Sequence, residues 1–77
     1  MEDLLEFLAR ALVDRPDEVS VEAFEEDDGT VVLEVHAAED DVGKVIGRGG
    51  RTVSSLRTVM RAVASRHDER VLVDVVD

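Results

Sequence analysis

The chain has 77 residues, no Cys, 44% hydrophobic residues and a net charge of −10. That length holds one small domain with a thin core, and the apolar content suits a folded chain better than a disordered one. A multidomain enzyme, a receptor, a disulfide-stapled secreted scaffold and thiolate chemistry are excluded, and the acidic opening Met1-Glu2-Asp3 with only short apolar runs predicts a soluble, cytoplasmic protein with no secretory signal or membrane span.

Leu4, Leu5, Leu8, Ala11 and Leu12 recur on one stripe at a helical period, which predicts an amphipathic helix over 2–13. Glu2 and Asp3 sit in its first turn, where the helix dipole favours anions, and Pro16 stops it. Val19, Val21 and Ala23 then alternate with Glu18, Ser20 and Glu22, the pattern of a half-buried strand. Glu25-Glu26-Asp27-Asp28-Gly29 reads as a turn, and 30–37 as a second strand with Val31, Leu33 and Val35 inward and Glu34 and His36 outward. The pair predicts an antiparallel hairpin.

Asp40 or Asp41 is positioned to cap a short helix that begins at Val42 and ends before Gly47-Arg48-Gly49-Gly50. A longer helix follows over 51–66, with Val53, Leu56, Val59, Met60, Val63 and Ala64 as its apolar stripe. Asp68-Glu69 makes a turn before a final Val-rich strand over 70–76, with Leu72, Val76 and Val32 on the sheet face away from the helices. The order is α-β-β-α-α-β in one domain spanning 1–77, an α+β fold with a three-stranded sheet packed on helices.

Charge is unevenly spread. Residues 1–41 hold 15 acids and two bases, and 68–77 hold four acids and one base. Residues 42–67 hold six bases (Lys44, Arg48, Arg51, Arg57, Arg61, Arg66) and no acid. With a Debye length of about 8 Å at physiological salt, a ligand feels the local island more than the distant total. A solvated helix face that balances the acids by ion pairing would give the same run.

The stretch Val45-Ile46-Gly47-Arg48-Gly49-Gly50-Arg51-Thr52-Val53 carries the chemistry. A short helix ends in Gly-x-x-Gly and a second helix starts at once. Glycines let a ligand's backbone approach without meeting a Cβ. The first turn of the second helix offers unpaired N–H groups and a positive dipole end, and Arg48 and Arg51 add counter-charge. No Gly-Lys-Ser/Thr closes the loop, so it is no Walker-A site. No strand leads directly into the glycines, so the dinucleotide fingerprint fails too.

In this context the motif resembles the K-homology (KH) RNA-binding domain, with the extra helix and strand placed as in the type II arrangement. The run from Asp41 to Thr52, with Leu56-Arg57-Thr58, Asp14-Arg15-Pro16-Asp17 and the closing strand, looks like the small stand-alone bacterial KH proteins of the KhpA type, over essentially the whole chain. The resemblance implies single-stranded RNA gripped by Gly47, Arg48, Gly49 and Gly50. It implies a groove lined or supported by Val45, Ile46, Val53 and Leu56, and phosphates near Lys44, Arg51 and Arg57. It also implies a homodimer or a heterodimer with a second KH protein of the Jag or KhpB type, and roles in RNA chaperoning, post-transcriptional regulation, cell shape and cell-wall control. No cofactor and no enzyme activity are implied. Two departures stand out: the anionic turn 25–28 and the absence of Trp and Tyr for base stacking. The acidity predicts weak, salt-sensitive binding that works best as a dimer or beside another RNA-binding domain.

His36 reads as an exposed sheet residue and His67 as the cation at a helix end, with no convergent metal ligands assigned to either. Ser20, Ser54, Ser55 and Ser65 lack His and acid partners at recognisable spacing. Two function classes remain: an RNA-binding module, or a protein-interaction adaptor on a KH scaffold with little RNA binding.

Overall fold

A computed structural model describes residues 1–76. Its elements are α1 (Glu2–Arg10), β1 (Ser20–Glu25), β2 (Val31–His36), α2 (Val42–Ile46), α3 (Arg51–Ser65) and β3 (Val71–Val76), in the predicted order. Short 3-10 turns at Pro16–Glu18, Glu39–Asp41 and Arg48–Gly50 link them.

The three strands form one sheet in the order β1-β2-β3. The hairpin is antiparallel, with Glu22 opposite Glu34 and Phe24 opposite Val32. The β2–β3 pairing is parallel, with Leu33 beside Val73. Parallel neighbours need a crossover, and α2 and α3 supply it, so the two helices that flank the glycine run are carried on one side of the sheet.

Alternation along the strands separates the faces. Leu33, Val35, Val71 and Val73 point to the helices and are buried, joined by Leu5 and Ala9 of α1, Val45 of α2 and Leu56, Met60 and Ala64 of α3. On the outer face Leu72 is exposed and Val32 and Val76 are half-buried, as their alternation predicts.

Three local expectations shift. The opening helix ends at Arg10, three residues before the predicted end, so Ala11 and Leu12 are exposed and Ala9, one turn after Leu5, takes the core place. In β1 only Val21 is half-buried; Ala23 is exposed because β1 is the sheet edge, at the rim of the helical layer. Val59 is also exposed: 3.6-residue periodicity carries it to the border of the apolar stripe.

The end of α3 is locked by a Schellman arrangement. Glu69 N–H donates to Ala64 C=O at 2.9 Å and Asp68 N–H to Ser65 C=O at 3.3 Å. Asp68 adopts φ 55°, the left-handed conformation that a short polar residue tolerates.

Candidate nucleic-acid interface

The Gly-x-x-Gly bend is built from the end of α2. Gly47 N–H donates to Gly43 C=O at 2.8 Å and closes the short helix. Gly47 then turns the chain at φ 79°, ψ 169°, a region essentially reserved for glycine. Gly50 N–H donates to Gly47 C=O at 3.1 Å, and α3 begins at the next residue. A Cβ on Gly47 would stand 2.6 Å from Thr52 Cβ and 2.8 Å from Thr52 N, so Gly47 is set by packing on the first turn of α3. Gly49, at φ 63° and ψ 19°, differs: a Cβ there meets nothing within 4 Å. One glycine closes the bend on the protein, and the other leaves its outer side open.

Side chains around the bend fall into three groups. Arg48 at the tip and Arg51 at the start of α3 are exposed, while the N–H groups of Gly50 and Arg51 donate back to the Gly47 and Arg48 carbonyls. Val45 and Val53 are buried below the bend, while Ile46 is half-exposed at its shoulder. Val45 and Val53 thus support the ledge from beneath, leaving Ile46 as the apolar side chain at its surface. A larger depression lies elsewhere, near Asp28, Arg61, Asp68 and Arg70; it is remote from the bend, and a polymer crossing a ledge needs no enclosed cavity.

Lys44 and Arg57 already have protein partners. Lys44 Nζ donates to Asp14 and lies 3.4 Å from Asp41 Oδ1. Hydrogen bonding to Asp14 outweighs the opposing effect of burial and holds the Lys44 pKa above its ordinary value. Arg57 Nε donates to the Val73 carbonyl of β3 at 3.1 Å.

Asp41 is the one buried acid among the described residues. It occupies the cap position of α2, as predicted, but its carboxylate makes no capping bond to that helix. It accepts the N–H groups of Arg15 at 2.9 Å and Asp14 at 3.3 Å instead, fastening the loop after α1 to the start of α2. Burial pushes its pKa up, yet the amides of Arg15 and Asp14 and the Lys44 ammonium together leave it below the usual aspartate range. Sequence reasoning missed this latch. Asp41 and Lys44 are a visible i,i+3 pair, but nothing in the spacing points to Asp14.

A helix and strand leading into a β-α-α-β unit, with a glycine bend joining the two core helices and the last strand parallel to β2, define a KH domain of the type II arrangement. The family model described as "KhpA/KhpB, KH domain" matches residues 2–75. "RNA-binding protein KhpA" of Halalkalibacterium halodurans is 46% identical over 78 aligned residues that cover 100% of both chains. The protein of that name in Clostridium acetobutylicum is 42% identical, covering 99% of this chain and 100% of its own. That in Mycobacterium tuberculosis is 48% identical, over 97% and 89%. The chain belongs to the KhpA/KhpB KH-domain family, a family of RNA-binding proteins and not of enzymes.

Among solved structures, that of Era in complex with MgGDPNP and nucleotides 1506-1542 of 16S ribosomal RNA superposes with a TM-score of 0.64 at 15% identity. The match covers 96% of this chain and 28% of that one, and speaks for the fold alone. No helix among the described residues is long and apolar enough to cross a membrane.

Proposed function

We propose that this chain is a cytoplasmic RNA-binding protein whose Gly47–Gly50 bend grips the backbone of about four nucleotides of single-stranded RNA. The observation that carries the reading is the open outer side of the bend: a Cβ at Gly49 would meet nothing within 4 Å, between the exposed Arg48 and Arg51. A phosphate there meets the positive end of the α3 dipole and two guanidinium groups. Ile46 offers an apolar edge to a base, held up by Val45 and Val53. Lys44 reaches a phosphate by exchanging Asp14 for it, and Arg57 by leaving the Val73 carbonyl.

Membership of the family supports the wider role: RNA chaperoning or post-transcriptional regulation linked to cell shape and the cell wall, as a homodimer or paired with a second KH protein of the Jag or KhpB type. With a net charge of −10, a single clamp binds weakly, and two clamps on one strand raise the effective affinity without new contacts. One observation favours a protein-interaction adaptor as second reading: Phe24 and Leu72, 47% and 50% exposed, flank Val32 in one row across the outer face of the sheet.

The test is the double variant Arg48→Asp with Gly49→Asp. Both positions are exposed, and aspartate tolerates the backbone angles at Gly49. Anisotropy of labelled oligoribonucleotides at low salt is expected to show at least ~10-fold weaker binding, the loss of one or more charge-assisted bonds. Wild-type affinity in a folded variant overturns the clamp and favours the adaptor.

A further inference from the structure

The outer face of the sheet carries a donor set that RNA binding leaves unused. The hairpin register places Glu22 of β1 opposite Glu34 of β2, and His36 stands two residues beyond Glu34, so all three share that face. His36 Nε2 lies 3.6 Å from a Glu34 carboxylate oxygen and 3.9 Å from one of Glu22. One donor atom from each residue lies within 4.8 Å of the other two. Separations of 3.6 and 3.9 Å are too long for hydrogen bonds. They suit ligand atoms around a shared centre: two donors each about 2.0–2.1 Å from a tetrahedral zinc ion are about 3.4 Å apart.

A second observation points the same way. The His36 side chain is 35% exposed, but its Nε2 atom is turned away from solvent and has no hydrogen-bond partner among the described residues. A buried polar atom left unpaired is costly, and its presence in a folded chain calls for a partner. The atom that lacks one is the atom aimed between the two carboxylates.

We propose that Glu22, Glu34 and His36 form a cross-strand site for a divalent transition-metal ion, best suited to zinc, with water completing the coordination. An imidazole nitrogen with carboxylates suits zinc and its neighbours in the transition series. Calcium and magnesium call for shells of oxygen alone. The ion would add a side-chain link between β1 and β2, whose pairing otherwise rests on the backbone ladder and the half-buried Val21. It would also offset the repulsion between Glu22 and Glu34, which face each other, and Asp74, which pairs with Glu34 from β3. The register sets Ser20 and Glu22 of β1, Glu34 on its own strand, and Asp74 and Val76 of β3 beside His36 on that face. The site is independent of the glycine bend.

The competing state is the same trio in direct polar contact with no ion between its members. Calorimetric titration of the tag-free full chain with zinc chloride, and separately with magnesium chloride, distinguishes them. The expected result at pH 7.5 is one zinc ion per chain with no comparable uptake of magnesium. A hundredfold excess over the dissociation constant should raise Tm by about 10 °C or more. His36→Gln and Glu34→Gln, each confirmed as folded by its metal-free melt, should lose at least ~10-fold in zinc affinity and the zinc-dependent rise in Tm. His67→Gln should keep both. Absence of zinc binding, equal uptake of magnesium, or undiminished zinc affinity in folded His36→Gln overturns the proposal.

Discussion

Gly47→Ala tests whether the bend is a packed joint or a loose connection. The new Cβ would lie 2.6 Å from Thr52 Cβ and 2.8 Å from Thr52 N. Turning the Thr52 side chain relieves neither contact, since both atoms belong to the helix itself. Backbone at φ 79°, ψ 169° adds strain of about 1–3 kcal/mol for any residue with a Cβ, and the overlap adds about 1–3 kcal/mol more. The expected loss of about 2–6 kcal/mol is a large share of the roughly 4–12 kcal/mol that a 77-residue chain has in total. With a urea slope near 1 kcal/mol per molar, the midpoint should fall by about 2 M or more. Gly49→Ala is the control, because its Cβ meets nothing within 4 Å and only the left-handed backbone is penalised, at about 1–2 kcal/mol. Adding Thr52→Gly to Gly47→Ala removes the side-chain overlap but not the strain, and should restore part of the midpoint in a double-mutant cycle. If Gly47→Ala unfolds no more readily than Gly49→Ala, the packing account of the bend is wrong.

Two further outcomes are expected. Asp41→Asn keeps one acceptor oxygen where two amides and Lys44 now converge, and thermal melts should place its Tm about 5 °C or more below wild type at pH 7. Because the folded-state pKa of Asp41 is lowered, its contribution is complete above the ordinary aspartate value of about 3.9 and is lost as pH falls through the folded value. The gap between the two proteins should therefore hold above about pH 5 and narrow at pH 2.5, and an undiminished gap there would contradict the latch. Arg51→Gln should flatten the slope of log affinity for single-stranded RNA against log salt by about 0.7, the share of one phosphate contact. Affinity loss with an unchanged slope would mean that Arg51 touches something other than a phosphate.

Much of this fold is written in local pattern. Val31, Leu33 and Val35 announce β2 by alternation, and Gly47 to Gly50 announce the bend by residue type. What stays hidden depends on where one element ends against another. The helix stripe extends through Leu12, yet the observed helix stops at Arg10, and Ala9 rather than Ala11 reaches the core. Asp41 looks like a cap because of its place before α2, and only the returning loop at Asp14 and Arg15 reveals what its carboxylate holds. The trio on the outer face was within reach in principle. A turn closing at Glu26 and Thr30 sets Glu22 opposite Glu34, with His36 two residues on. What the sequence lacks is the side-chain directions that bring Nε2 between the two acids.

A three-stranded sheet has two borders, and each could recruit a neighbouring chain. Along β1 the border bears Glu22 and Glu25 and runs into the acidic turn, so a second copy laid against it would set carboxylate against carboxylate. Along β3 the Val73 carbonyl is already taken by the Arg57 guanidinium, a plug where a stranger's amide would dock. Charge guards one rim and a hydrogen bond occupies one acceptor of the other, two devices of the kind that discourage edge-to-edge stacking of small sheets.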